Sequence, residues 1–134
     1  MILLALIAIP VPEPQTNTPT WLFFDLGPFN NHSVDYPDYA KKLANRIKLK
    51  KSDVGILVCG SGTGMAISAN KIKSIRAAVC YNLKSTRLSR QHNNANIIAL
   101  GSRLTKKKLS LKLVEVFLKT KFERGRHLRR IKKI

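Results

Sequence analysis

The chain has 134 residues, which is room for a single domain, residues 1–134, with one layered core. Hydrophobic residues make up 44%, which excludes wholesale disorder. The longest apolar run, Met1–Ile9, is too short to span a bilayer. Two cysteines, Cys59 and Cys80, make no secreted disulfide framework, so a reducing cytoplasm is the expected compartment. Twenty-five Lys and Arg against seven Asp and Glu leave +18. Residues 1–40 carry no Lys or Arg and four acids, a net of −4, so residues 41–134 carry +22. That balance favours an anionic partner: nucleic acid, acidic lipid or a phosphorylated small molecule.

Met1–Ile9 reads as a buried strand. As a signal peptide it is poor, with no basic start and no small-residue cleavage site. Pro10, Pro12, Pro14 and Pro19 forbid a helix over 10–20 and predict extended or polyproline-like chain. Trp21–Leu26 reads as a strand ended by Gly27-Pro28. Tyr39, Ala40, Leu43, Ala44 and Ile47 recur at helical spacing over Pro37–Lys48. Val54–Cys59 is a continuous apolar run, the pattern of a central strand buried on both faces. Glycines then cluster, and Met65–Lys71 turns helical. Ala77–Cys80 predicts a strand, Ser85–Asn93 a helix and Asn96–Leu100 a strand. Leu109, Leu113, Val116 and Phe117 line one face of a long amphipathic helix over Leu104–Lys121. The basic tail, 124–134, reads as helical. Strands alternating with helices predict a Rossmann-like α/β/α sandwich on a parallel sheet of about five strands. In that class ligands sit at the carboxyl ends of strands, which points to Cys59–Gly64, the residues after Cys80, and Gly101–Arg103.

Cys59-Gly-Ser-Gly-Thr-Gly64 is the most informative segment. Its glycines let the backbone approach a ligand with N–H groups turned inward, ahead of a helix N-terminus that favours an anion. It is not a P-loop, because no Gly-Lys-Ser/Thr follows. It also lacks the third glycine and the distant acid of the dinucleotide fingerprint. The loop is either an anion cradle or a tight structural turn. Cys59, where strand meets loop, faces N–H dipoles and is either a reactive base or a small buried hydrophobe. Cys80, inside a strand pattern, reads as core. His92 has the chemistry of a general acid–base group or is a surface histidine. His32 and His127 have weaker context, and the histidine spacing gives no metal set. Arg126 and Arg130, four apart, share a helical face and form either a phosphate clamp or a solvated basic tail.

Six segments together resemble the ribose-5-phosphate isomerase B family, which includes galactose-6-phosphate isomerase subunits. They are Ser33–Ala40 (SVDYPDYA), Gly55–Met65 (GILVCGSGTGM), Ile75–Cys80 (IRAAVC), Thr86–Asn96 (TRLSRQHNNAN), Ala99–Arg103 (ALGSR) and Phe122–Arg130 (FERGRHLRR). The resemblance covers about residues 25–134 and implies an aldose–ketose isomerase of phosphorylated sugars, working through an enediolate with no metal or cofactor. It implies that Cys59 moves the proton between C1 and C2. Ser61 and the amides of Gly60, Gly62, Thr63 and Gly64 would hold the enediolate oxygen. His92 would open the furanose ring, Asn93 and Tyr36 would contact the sugar, and Arg103, Arg126 and Arg130 would bind the phosphate. Family members are homodimers or homotetramers with sites at subunit interfaces, reached by the neighbour's C-terminal segment.

The family begins with a strand, a Ser-Asp-His-Ala-Gly motif and a helix, and residues 1–20 have neither motif nor helix pattern. Residues 10–20 number eleven, near the lower limit of about ten for a parallel crossover. They are expected to leave one sheet face partly uncovered and to impair activity. A catalytically inactive family member and a basic nucleic-acid-binding protein are the alternatives. For nucleic acid there is no zinc spacing, aromatic sheet motif or evident recognition helix, so it is not the expected partner.

Overall fold

A computed structural model of the chain describes residues 4–11, 20–30, 32–50 and 53–134. In chain order the elements are β1 (Leu4–Val11), β2 (Thr20–Asp25), α1 (Tyr36–Leu49), β3 (Val54–Cys59), α2 (Thr63–Asn70), β4 (Ala77–Val79), α3 (Leu83–Asn93), β5 (Ile97–Gly101), α4 (Lys107–Lys119) and α5 (Gly125–Ile131). They build one five-stranded sheet, ordered β2-β1-β3-β5-β4, between two helical layers.

β3 and β5 are buried along nearly their whole length, as two-sided burial requires of such apolar runs. The first face is closed by α1 and α2. Ala40, Leu43, Ala44 and Ile47 of α1 pack there with Ala5, Ile7, Leu57 and Met65. On the second face Leu113 and Phe117 of α4 meet Ile56, Ile98 and Leu100. Full burial of an aromatic ring such as Phe117 contributes about 3 kcal/mol. The Arg90 guanidinium lies over that ring, 5.1 Å from its centroid.

The sheet is mixed, which corrects the expectation of an all-parallel one. β3, β5 and β4 run parallel, but β1 is antiparallel to both β2 and β3. The cause is chain length. Val11 pairs directly with Thr20, and the eight residues 12–19 between them are fewer than the dozen or so a parallel crossover needs. β2 therefore returns antiparallel beside β1. β1 also runs through Pro10, where extended loop was expected. Pairing with β3 ends at Ala8–Val54, so on that side Pro10 breaks no ladder. The parts of that expectation on residues 1–3 and 12–19 lie outside the described residues.

The second face stays open beside α4. Leu6, Phe23, Ile56, Val58, Leu111 and Val114 line an apolar groove of about 510 Å³ there. Phe23 is 46% exposed and Leu111 63% exposed. The uncovered face expected from the sequence is this groove. Leu109, placed on the buried face of α4 by periodicity, is 37% exposed. The long helix expected over 104–121 is shorter, Lys107–Lys119, and a separate α5 follows Arg124, whose φ of 61° turns the chain. Among the described residues no helix is long and apolar enough to cross a membrane.

Candidate active site

β3 delivers Cys59 to the carboxyl edge of the sheet, where it is paired with Gly101 of β5. The loops after these strands are tied together. Ser102 N–H donates to the Cys59 carbonyl at 2.8 Å, and Arg103 N–H donates to the Gly60 carbonyl at 3.1 Å. Gly62 closes the turn into α2 with φ +82°, and an added Cβ there would lie 2.9 Å from the Leu100 carbonyl carbon. Only glycine accepts both conditions. The turn aims Gly62 N–H at Cys59 Sγ, 3.2 Å away. An amide dipole so directed stabilises negative charge on sulfur.

Around that sulfur lies a cavity of about 290 Å³, near the lower end of the roughly 300–1,000 Å³ usual for small-molecule sites. Its wall consists of Tyr36, Cys59, Gly60, Ser61, Gly64, Arg103 and Leu104. Six of the twelve residues singled out from the sequence thus converge on one cleft. Tyr36 arrives from the first turn of α1, ahead of Pro37. Ser61 is exposed, and its Oγ accepts from Thr63 N–H at 3.3 Å. Gly62 and Thr63 build the turn without lining the cleft. Leu104 was not foreseen, since nothing but its place beside Arg103 marks it.

His92, Asn93, Arg126 and Arg130 line no part of that cleft among the described residues. His92 and Asn93 end α3. The His92 ring stacks on His127 of α5, with centroids 4.2 Å apart and planes 6° from parallel. Arg126 and Arg130 flank His127 and are exposed, while His127 itself is buried. Burial, then the neighbouring His92 and Arg126, push His127 below the ordinary histidine pKa. Glu123 stands beside both rings, its Oε2 3.9 Å from His92 Nε2 and 3.8 Å from His127 Nε2. Sequence spacing could not show this pairing, because the two histidines lie 35 positions apart on different helices. Cys80 is core as expected, and burial pushes its thiol up. His32 is exposed.

Comparison with known proteins gives a family match over most of the chain. A family model described as ribose/galactose isomerase matches residues 17–134. The chain belongs to the ribose/galactose isomerase family. The match begins at residue 17, ahead of the stretch from about residue 25 that carries the resemblance, and residues 1–16 stand outside it. A putative sugar phosphate isomerase of Rickettsia bellii is 46% identical over 111 residues, covering 83% of this chain and 77% of the relative. The solved structure of Clostridium thermocellum ribose-5-phosphate isomerase B superposes with a TM-score of 0.80 at 48% identity, over 82% of this chain and 74% of that one. The Mycoplasma genitalium ribose-5-phosphate isomerase B structure, which holds ribulose 5-phosphate, gives 0.78 at 44% identity, over 81% and 72%. The family's fold is therefore kept over most of the chain.

Proposed function

We propose that this family member is an aldose–ketose isomerase that interconverts ribose 5-phosphate and ribulose 5-phosphate. The observation that carries the reading is Cys59 Sγ at the wall of a cleft, with the Gly62 amide directed at it and Ser61, Gly60 and Arg103 beside it. The Cys59 thiolate takes the proton from C2 of the open-chain aldose. The electron pair moves through C1 to the carbonyl oxygen, forming an enediolate. Ser61 and the amides of residues 60–64 stabilise the charge on that oxygen. A proton passes from the 2-hydroxyl to the C1 oxygen, the C2 oxygen becomes the carbonyl, and the proton held on Cys59 returns to C1, which completes the ketose. All electrons stay within the sugar, so the step calls for no redox cofactor.

Arg103 is the phosphate ligand from this wall, and Arg126 and Arg130 supply the others. His92 opens the ring by moving a proton between the anomeric hydroxyl and the ring oxygen, with Asn93 and Tyr36 on the sugar hydroxyls. Arg126 and Arg130 project from α5 while His127 of the same helix is buried against α3. That division suits a homodimer or homotetramer in a reducing cytoplasm, in which α5 of one protomer completes the cleft of its partner. Because β1 is reversed, Leu4 near its amino end lies beside Val58, and the strand's carboxyl end sits at the opposite sheet edge. The strand therefore contributes no carboxyl-end side chains to the cleft, and turnover lower than that of the relatives is expected.

The test is a coupled assay on the purified chain with ribose 5-phosphate. Turnover lost in Cys59→Ala and restored to no measurable extent by added thiol supports the reading. Unchanged turnover in Cys59→Ala overturns it.

A further inference from the structure

Three groups outside the Cys59 cleft have the donor set of a transition-metal site. A ring nitrogen of His92, a ring nitrogen of His127 and a Glu123 carboxylate oxygen all lie within 4.8 Å of one another, with both Nε2 atoms 3.8–3.9 Å from Glu123 Oε2. They come from three successive pieces of structure that the backbone already holds together. His92 is in the last turn of α3. Glu123 N–H donates to the carbonyl of Gln91, the residue before His92, at 3.1 Å. His127 N–H donates to the Arg124 carbonyl at 2.9 Å, which sets the first turn of α5.

We propose that His92, Glu123 and His127 form a binding site for a borderline divalent transition-metal ion of the zinc class. Two imidazole nitrogens and one carboxylate oxygen match zinc's preferences, and a water completes the tetrahedron. Zinc–nitrogen bonds of about 2.0–2.1 Å place two ligand atoms about 3.3 Å apart, so the three groups must draw closer by roughly 1.5 Å at most. The stacked rings must also splay, because a shared ion has to lie in the plane of each. His92 has room to turn, with its side chain 38% exposed, whereas His127 is held, at 10%. The Glu123 side chain is 49% exposed, which leaves an open approach for the ion and its water.

Electrostatics act in both directions here. Burial, then His92 and Arg126, with a smaller part from Arg130, disfavour the protonated form of His127, and metal binding needs the neutral imidazole. Arg126 and Arg130 repel a dication, and the Glu123 carboxylate offsets them. The expected affinity is therefore modest, that of a reversible site. One consequence rests on the isomerase reading above: a lone pair of His92 held by zinc cannot move the ring-opening proton, so the ion inhibits.

The experiment uses the full chain, stripped with a chelator and titrated with Zn²⁺ by calorimetry and with Co²⁺ by visible absorption. One ion per chain is expected, with a Co²⁺ spectrum free of thiolate charge-transfer bands. Glu123→Gln and His127→Gln, each shown folded by circular dichroism, are expected to weaken binding at least about ten-fold. In the wild type Zn²⁺ should slow isomerisation, and in Glu123→Gln it should do so only at correspondingly higher concentration. Absent binding, a thiolate band, or affinity indifferent to both variants overturns the site. Zinc binding in a chain that turns over no sugar upholds the site and removes the isomerase reading. Turnover without zinc binding does the reverse.

Discussion

Tyr36 lies against Gly64 so closely that a methyl group on the glycine would sit 2.7 Å from Cε2, Cζ and Oη of the ring. The first turn of α1 and the first turn of α2 thus meet across the cleft with no space for a side chain between them. Tyr36 is 40% exposed, so its ring can swing outward at little cost to the fold. Gly64→Ala is therefore expected to displace Tyr36 from the cleft. Steady-state kinetics should show kcat/KM down by about ten-fold or more, equivalent to roughly 1.4 kcal/mol, with a melting temperature within a few degrees of the parent.

Gly62 is constrained by backbone, which cannot swing away. Its φ of +82° is unfavourable for any other residue by about 1–2 kcal/mol, and the Leu100 carbonyl carbon blocks a Cβ as well. Urea unfolding of Gly62→Ala should show a loss of at least that size. The variant should also lose turnover, because the turn that directs an amide at Cys59 Sγ has to deform.

His127 imposes a pH dependence on stability. Its folded form holds a proton less readily than the ordinary value of 6.5, through burial first and then His92 and Arg126. Between the depressed folded value and 6.5 the unfolded chain binds more protons than the native one. Stability therefore rises with pH through that window and falls as pH drops below about 6.5. Urea midpoints measured from pH 7.5 down to 5 should decline in the wild type, and the decline should be shallower in His127→Gln.

The open groove beside α4 should bind apolar dyes. Leu111 is 63% exposed on its wall, so Leu111→Ser removes dye-binding surface at a stability cost within about 0.5 kcal/mol. Fluorescence of 8-anilinonaphthalene-1-sulfonate with the native protein is expected to be measurable in the wild type and reduced in Leu111→Ser and Phe23→Ser.

Much of this protein is set by local pattern. The apolar run Val54–Cys59 names a central strand, because a segment without polar alternation can be solvated on neither face. The helical spacing of Ala40, Leu43, Ala44 and Ile47 names the buried stripe of α1. The glycines after Cys59 announce a close backbone approach, and the turn at Gly62 has the left-handed geometry that only glycine holds freely. Even the uncovered sheet face follows from too few residues between the first two strands.

Other features depended on the tertiary structure. The reversal of β1 is a choice among pairings, made once the short connection has to close against β2 and β3 together. The exposure of Leu109 depends on what lies opposite α4, and periodicity along one helix carries no information about that. The stacking of His92 on His127, with Glu123 beside them, joins residues far apart in the chain through the packing of α5 on α3. Spacing along a sequence reports neighbours within one element. Which elements become neighbours is decided by how the whole chain buries its apolar surface.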